Sequence, residues 1–309
     1  MKRTTRNTLL IVLVALAATA VVSWPSAVGF MARRGLEKAR QNGANISWNG
    51  LTTGSSSVGL ESLTIWIPGP KVKGTLTIPI SLEFQSLSVD LKLGSLLALS
   101  PTVTYETDLY GGTISGDAKR KGGATRFNAN VENVEIGRHP QLSSLGIKGG
   151  ATSGTFQEMG IIPEGVNGGT FSLRVRELEF PAVEAVRTLL KTDTLGTIDL
   201  DAEGTVSPSA VDITSIRLSS LFGSVVGSLS ASEHLSRSPS LKGSFEVSLS
   251  ESGILTLGPW LPLIPGAELP PSTSTFAVTV ASTPCSSSRA TPTVVRTPSG
   301  CVKLGFEKR

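Results

Sequence analysis

Near its N-terminus the sequence has an uncharged run that is long enough to cross a membrane. Residues 8–30 contain no Asp, Glu, Lys, Arg or His. A helix rises about 1.5 Å per residue, so roughly 20 apolar residues cross a hydrocarbon core of about 30 Å. The rest of the chain is too polar to span a bilayer again. The sequence therefore predicts one membrane crossing and a large domain on one side of it.

The residues around this run favour its retention as an anchor. Lys2, Arg3 and Arg6 precede it, as in a signal peptide or a signal-anchor. Residues 18–20 (Ala-Thr-Ala) suit cleavage, so a secreted protein is the alternative. Retention is favoured because the run exceeds the roughly 7–15 residues of a usual signal-peptide core and leads into a basic segment. We expect a cytoplasmic tail at 1–7, a transmembrane signal-anchor at 8–30 and a juxtamembrane helix at 31–41.

Composition narrows the class of protein. Charged residues make up 17% of the chain, against about 25% in an average soluble protein. Gly, Pro, Ser and Thr are frequent, and long helical patterns are few. This is typical of a β-rich, turn-rich envelope protein and not of a compact α/β enzyme. Much of the net charge of +4 lies beside the predicted membrane segment, so we expect no nucleic-acid partner.

Segments that alternate between apolar and polar residues follow the anchor and predict β-strands. Val103, Tyr105 and Leu109 alternate with polar residues, and the next sequence, Tyr110-Gly111-Gly112, predicts a hairpin. Earlier in the chain, a change of phase near residues 85–86 predicts a bulge or a turn. A weak echo of the Leu-aromatic-Gly pattern at residues 220–227 indicates a ladder of similar hairpins.

A later segment places Phe171, Leu173 and Val175 on one side of a strand and Arg174 and Arg176 on the other. Together with the earlier strand it predicts one apolar sheet face, formed by Val103, Tyr105, Leu109, Phe171, Leu173 and Val175. Such a face must be covered or used, and the sequence leaves three solutions open: a closed sandwich, an open trough, or a surface that receives a partner.

The predicted fold class is mainly β. An N-terminal transmembrane helix is followed by an elongated antiparallel, twisted or curled β-sheet domain at residues 42–282. One or two short helices interrupt the sheet, at residues 139–146 and 181–191, and the proline-containing segment 253–266 is predicted to be a packed connector. A Ser/Thr/Pro-rich tail at 283–309 is expected to be irregular over residues 283–299.

The tail carries both cysteines of the chain, Cys285 and Cys301. In an oxidising compartment they would close a short loop, with a stabilisation of about 3 kcal/mol on the chain-entropy model. Two unrelated thiols are the alternative.

The sequence matches catalytic and metal-binding motifs only in part. Residues 199–204 (DLDAEG) begin like a calcium loop, but Ala210 stands where the bidentate Glu is needed, so a solvated strand face is the better interpretation. His139 and His234 are each isolated in turn-like, polar surroundings, and no Gly-x-Ser-x-Gly sequence is present. Residues 111–119 lack the Gly-Lys-[Ser/Thr] of a phosphate loop. We expect no enzyme, no cofactor and no metal.

The order of these segments resembles a known family. Residues 107–118 (TDLYGGTISGDA) resemble the Leu-Tyr-Gly-Gly signature of AsmA-type envelope proteins. The longer order, from the anchor through GGTFSLRVRELEF and TIDLDAEG to SIRLSSLFGSVVGSLSAS, resembles type II secretion system protein N, the GspN family of Gram-negative bacteria. The similarity covers roughly residues 1–265, and the tail with both cysteines departs from it.

This resemblance implies a single-pass protein of the bacterial inner membrane with its C-terminal domain in the periplasm. It implies a non-enzymatic part in, or an accessory role to, the export of folded proteins across the outer membrane, with other secretion-system or envelope proteins as partners. A sheet edge would dock these partners. The alternative is an AsmA-like module that binds or transports phospholipid. A packed, closed face favours the first function, and a continuous apolar groove favours the second.

Overall fold

A computed structural model describes most of the chain after residue 24. The described residues are 25–41, 45–54, 56–67, 80–92, 95, 102–121, 124–162, 165–166, 168–182, 194–232, 240–264, 268–283, 294–297 and 300–308. Their α-helices are α1 (Pro25–Gln41), α2 (Pro140–Ser144) and α3 (Glu251–Leu257), and their 3₁₀ helices are Ile136–Arg138 and Gly258–Leu263.

The described strands are long for a globular protein. They are β1 (Ile46–Thr53), β2 (Ser57–Ile67), β3 (Ile80–Leu91), β4 (Thr102–Leu109), β5 (Gly112–Lys121), β6 (Ala124–Glu135), β7 (Lys148–Ile162), β8 (Gly165–Val166), β9 (Gly169–Pro181), β10 (Thr194–Val206), β11 (Ala210–Ser220), β12 (Gly223–Ser232), β13 (Ser240–Leu249), β14 (Thr275–Thr283), β15 (Val294–Thr297) and β16 (Gly300–Lys308).

These strands follow a simple order in one antiparallel sheet. Nearly every strand pairs with the next one along the chain; β8 pairs with β7 alone, and β16 lies between β14 and β15. The predicted mainly β, antiparallel fold is confirmed. By its contacts the chain divides into two compact units. Unit 1 comprises Met1–Gln141 and Ser153–Gly169, and unit 2 comprises Leu142–Thr152 and Thr170–Arg309.

The predicted membrane anchor at 8–30 lies outside the described residues, except for residues 25–30, which belong to α1. Within the described part of the chain, no helix has both the length and the apolar character that a membrane crossing requires. The helix predicted at 181–191 also falls largely outside this part, and its first residue, Pro181, is the last residue of β9.

The helix predicted at 31–41 is confirmed as the second part of α1, and one of its sides packs on the sheet of unit 1. Ala32 and Leu36 are four residues apart and therefore share a side of the helix. Each is only 1% exposed and belongs to the same hydrophobic cluster as residues of β1 to β5. Arg33, Arg34 and Lys38 are exposed on the remaining surface. The apolar side of this helix is thus occupied by protein.

The hairpin predicted at Tyr110-Gly111-Gly112 is confirmed. Leu109 pairs with Gly112, and the two turn residues, Tyr110 and Gly111, have φ angles of 49° and 82°. Two residues with positive φ form the type I′ turn, whose twist matches that of the two strands it joins. The bulge predicted near residues 85–86 is also confirmed, since the β3–β4 register shifts between Phe84 and Ser86.

The echo of this hairpin is a hairpin as well, but the aromatic residue occupies a different turn position. Ser220 pairs with Gly223, so the turn residues are Leu221 and Phe222. The aromatic side chain is second in this turn, whereas Tyr110 is first in the other. The two sequences are therefore similar in composition, but their aromatic residues occupy different positions of the turn.

The connector predicted at 253–266 is packed and largely helical. Ser250 caps α3, because its side chain accepts a hydrogen bond from the backbone N–H of Gly253 over 3.0 Å. Pro259 comes two residues after Leu257, the last residue of α3, and the 3₁₀ helix Gly258–Leu263 continues the chain.

The expectation of an irregular segment at 283–299 was wrong over Val294–Thr297, which form β15. After it, β16 pairs with β14 from Cys301 to Lys308, and Leu304 and Phe306 lie opposite Val280 and Val278. Apolar cross-strand pairs stabilise this pairing, and the Ser/Thr/Pro composition concealed them.

Of the two cysteines, Cys301 lies in β16, is buried and is disulfide-bonded. Cys285 lies outside the described residues.

Gly112 is expected to tolerate no side chain. A Cβ atom there would lie 2.3 Å from the backbone oxygen of Glu132 and 2.4 Å from the backbone nitrogen of Val134, and backbone atoms cannot move aside. Gly112→Ala should therefore lower the free energy of unfolding by about 2 kcal/mol, the usual size of an overpacking penalty. Urea unfolding followed by tryptophan fluorescence measures it.

Ser115→Ala in the same strand is the matched control, with an expected change within about 0.5 kcal/mol. Equal stability of the two variants would contradict the close approach of β5 and β6 at Gly112.

Candidate functional site: an apolar sheet face

The six residues predicted to form one apolar face belong to two units. Val103, Tyr105 and Leu109 lie in β4 of unit 1, and the other three, Phe171, Leu173 and Val175, lie in β9 of unit 2.

The three residues in β4 are part of a packed core. Val103 is 3% exposed and Leu109 is 7% exposed. Val103 belongs to the cluster that α1 covers, and Leu109 packs with Tyr110 and Val134 in a second cluster of unit 1. These positions stabilise the fold and leave no apolar surface for a ligand.

The side chain of Tyr105 packs against this core, and its hydroxyl group forms a hydrogen bond with β6. The hydroxyl donates a hydrogen bond to the backbone oxygen of Asn128 over 2.8 Å. Gly116, which pairs with Tyr105, makes room for the ring, because a Cβ there would lie 2.8 Å from the hydroxyl oxygen. Burial and the nearby Asp117 carboxylate raise the pKa of Tyr105 to about 12.

His139 lies at the bend between the 3₁₀ helix Ile136–Arg138 and α2, as its turn-like sequence indicated, but its surroundings are not open to solvent. Its side chain is buried, and its ring meets that of Tyr110 edge to face with 5.5 Å between centroids. Nδ1 accepts a hydrogen bond from the backbone N–H of Gln141 over 3.2 Å, so Nε2 carries the proton and donates to the backbone oxygen of Ser81 over 2.8 Å. Both ring nitrogens are used in this packing. His234 lies outside the described residues.

In unit 2, by contrast, the residues of β9 begin an apolar face that continues over the following strands. Arg174 and Arg176 both contact Asp201 of β10, so these charged side chains share one face of the sheet. Phe171, Leu173 and Val175 therefore lie on the opposite face. The position of Phe171 agrees, since a Cβ at Gly204 of β10 would lie 2.9 Å from its ring.

Cross-strand register extends this face from β10 to β16 in three rows, because directly paired residues point to the same side of a sheet. The first row is Leu200, Leu218, Val225, Val247 and Phe276. The second is Ala202, Ile216, Gly227, Phe245, Val278 and Phe306. The third is Gly204, Ile213, Leu229, Gly243, Val280 and Leu304. We call these rows, with Phe171, Leu173 and Val175, the apolar face of unit 2.

Aromatic rings lie over the glycines of this face. A Cβ at Gly227 would lie 2.6 Å from the ring of Phe245, its partner in the next strand. Phe171 takes the same position over Gly204. Each ring fills the space that the missing side chain leaves, as in the aromatic rescue of strand glycines. At Gly204 and Gly227 the surface is therefore apolar, and no side chain of the glycine position itself projects from it.

The apolar face is covered at one end. Leu261, Leu269 and Ile264 pack in a cluster with Phe276 and other residues of β13, β14 and β16. No residue of β9 to β12 belongs to that cluster among the described residues. Leu200, Leu218 and Val225 are only half-buried, whereas Val175 of β9 is 4% and Ala202 of β10 is 9% exposed. Apolar surface therefore remains accessible at these half-buried positions of β10 to β12 within the described part of unit 2.

The opposite face of unit 2 is polar. Arg176 Nη2 lies 2.6 Å and Arg174 Nε 3.1 Å from Oδ1 of Asp201. The hydrogen bond from Arg176 is the main reason why the pKa of Asp201 lies below its usual range. Asp199 accepts a hydrogen bond from the backbone N–H of Glu177 over 2.9 Å. Asp199 and Asp201 thus lie on a strand and contact the neighbouring strand, β9.

Sequence reasoning found the first strand of the apolar face and missed its extent. The alternating residues of β10 to β13 are visible in the sequence, but the face is recognised only when each strand is given its register. The two-residue turn between β11 and β12 was the available indication, since it fixes Ser220 opposite Gly223 and hence Leu218 opposite Val225.

The burial of Tyr105 gives an optical prediction. The chain has two tyrosines, Tyr105 and Tyr110, and burial raises the pKa of both. A raised pKa means that the folded state favours the neutral phenol. The associated stability is present below the ordinary pKa of about 10 and is lost as the pH rises through the raised values.

Tyrosinate absorbance of the native protein should accordingly appear at a higher pH than in guanidinium, and Tyr105→Phe should remove the later part of the titration. Difference absorbance near the tyrosinate band measures this. If both phenols of the native protein titrated as in guanidinium, the packing of Tyr105 against Asn128 would be refuted.

No family model, no curated protein and no solved structure matches the chain. The resemblance to type II secretion system protein N therefore stands on the quoted residues alone, and the function of the apolar face rests on its geometry.

Proposed function

We propose that this chain is a non-enzymatic, membrane-anchored protein of the bacterial envelope that binds the acyl chains of phospholipid on the apolar face of unit 2. The observation that carries the proposal is the three-row apolar face, in which Leu200, Leu218 and Val225 of β10 to β12 are half-buried while the other side of the same strands is polar. The alternative function considered from the sequence thus becomes the first choice.

An acyl chain suits this face chemically. The rows consist of aliphatic side chains, phenyl rings and glycines, and so offer dispersion contacts and no side-chain hydrogen bonds. Each methylene group removed from water contributes about 0.8 kcal/mol. Contact with about ten methylenes would give roughly 8 kcal/mol before the entropic cost of binding, which is enough for a stable complex.

The described residues of unit 1 offer no comparable surface for a lipid. The equivalent strand residues of unit 1, Val103 and Leu109, are buried, and Ala32 and Leu36 of α1 pack in the same cluster as Val103. Charged substitutions at those positions would unfold unit 1 and report nothing about lipid. The elongated, curled shape and the location in the inner membrane and periplasm stay predictions of the sequence.

The role in type II secretion, with other envelope proteins as partners, stays the second candidate. One observation favours it. β1 stands at an end of the strand order, so its outer edge pairs with no other described strand. Such an edge offers backbone N–H and C=O groups to a strand of another protein.

Site-specific photocrosslinking in cells tests the proposal with the full chain and without detergent. A photoreactive phenylalanine analogue is placed at Val225, on the apolar face, and in a second strain at Val226. These adjacent residues lie on opposite sides of β12, since Val225 pairs with Leu218 and Val226 with Arg217. Val226 is 42% exposed and provides a matched apolar control.

Mass spectrometry of the intact protein should find adducts of phospholipid mass at position 225 and few at position 226. A charge beside the probe, Leu218→Asp, should reduce the adduct at 225 several-fold. Adducts of protein mass at 225, or equal lipid adducts at both positions, would contradict a lipid-binding face. Protein adducts from probes in β1 would support the second candidate.

A further inference from the structure

A second apolar surface of unit 2 projects away from the sheet. In the segment formed by α3 and the following 3₁₀ helix, Leu255 is 80% exposed, Leu263 is 66% exposed and Trp260 is 40% exposed. We call these three residues the apolar tip. Residues 252–267 contain no charged side chain, and the first charged residues on either side are acidic, Glu251 and Glu268.

The tip is exposed because the other side of the same segment is fixed to the sheet. Gly253 and Gly258 are buried and let the backbone approach closely. A Cβ at Gly253 would lie 1.9 Å from the backbone oxygen of Phe222, and one at Gly258 would lie 2.3 Å from that of Pro271. Leu261 is 4% exposed and packs in the cluster with Leu269 and Phe276. The large exposed side chains are therefore not needed for this packing.

We infer that the apolar tip inserts into the surface of a lipid bilayer whose headgroups carry no net charge. This inference rests on the proposed function and deepens it, because the tip would be the point at which acyl chains pass between a bilayer and the apolar face. The 3₁₀ helix supports such a path. It exposes Trp260 and Leu263, while Leu261 between them packs with Phe276 of the first row.

The composition of the tip favours a bilayer over a protein partner. Tryptophan has its preferred place at the membrane interface, where its ring meets the hydrocarbon and its N–H stays hydrated. Two leucines beside it reach the acyl region to a depth of about 5–10 Å. A protein docking surface normally adds arginine or other hydrogen-bonding groups around its apolar centre, and residues 252–267 contain none that is charged.

Charge also decides which lipid is expected. Glu251 and Glu268 are exposed at the two ends of the uncharged stretch and would be repelled by anionic headgroups. The tip should therefore prefer phosphatidylcholine or phosphatidylethanolamine and gain nothing from anionic lipid. The exposed side of α1 carries Arg33, Arg34 and Lys38 and has the opposite preference.

Fluorescence quenching by brominated lipid tests the inference with the full chain reconstituted into phosphatidylcholine nanodiscs. In one arm the nanodisc lipid is brominated. In the other, brominated phosphatidylcholine is supplied as separate vesicles. The chain contains four tryptophans, so the contribution of Trp260 is taken as the difference between the native protein and Trp260→Phe.

At least one arm should reduce the Trp260 emission about twofold, as expected for a ring at the interface. Leu255→Asp with Leu263→Asp should abolish the quenching, whereas Val226→Asp, an exposed apolar site of the same unit outside the tip, should not change it. Adding phosphatidylglycerol to the brominated lipid should not increase it. Absence of quenching in both arms, or quenching that survives the double substitution, overturns the inference.

The two proposals fail separately. Lipid adducts at Val225 without quenching of Trp260 would show a lipid-binding face that is loaded without the tip. Quenching without adducts would show a membrane-binding tip and refute the lipid-binding face.

Discussion

The structure depends on one constraint. When an antiparallel strand pairs with the next strand along the chain, directly paired residues point to the same side of the sheet. Alternating residues at period two, joined by short turns, therefore produce a sheet with one apolar side. In unit 1, Ala32 and Leu36 of α1 are each 1% exposed and pack in one cluster with residues of β1 to β5. In unit 2 the described covering segment, around Leu261, packs on β13, β14 and β16. The same strand pattern thus yields a core in one unit and accessible apolar surface in the other.

Glycine opposite an aromatic ring is the recurring device that shapes both units. Tyr105 lies over Gly116, and Phe245 lies over Gly227. The Leu-Tyr-Gly-Gly sequence also forms the turn between β4 and β5. Gly111 supplies a positive φ angle, and Gly112 lets β6 pass at a distance that no Cβ would permit. The motif is therefore explained by backbone geometry and packing, and needs no ligand.

Much of the fold could be predicted from the sequence, since strands, hairpins and the bulge near Ser86 follow from alternation and turn residues. The segment that covers each face could not be predicted from the sequence, because its position depends on contacts between segments far apart in the chain. Val103 and Phe171 have the same local pattern, yet Val103 belongs to the cluster under α1 and Phe171 begins an accessible face. The burial of His139 was likewise missed, since the strand that supplies its acceptor, Ser81, lies 58 residues earlier.

The accessible apolar surface on the described strands of unit 2 favours binding of a partner, because such surface costs about 25 cal/mol per Å² in water and promotes association. Glycines and flat rings distinguish the kind of partner. Tall side chains would provide the pockets that fix the register of a protein partner, and Gly204, Gly227 and Gly243 remove them from the second and third rows. A flexible acyl chain needs no such pockets and adapts to a low surface. The polar reverse side, with Arg174 and Arg176 on Asp201, keeps the same strands in water. These features support the proposal that the occupant of the face is a lipid.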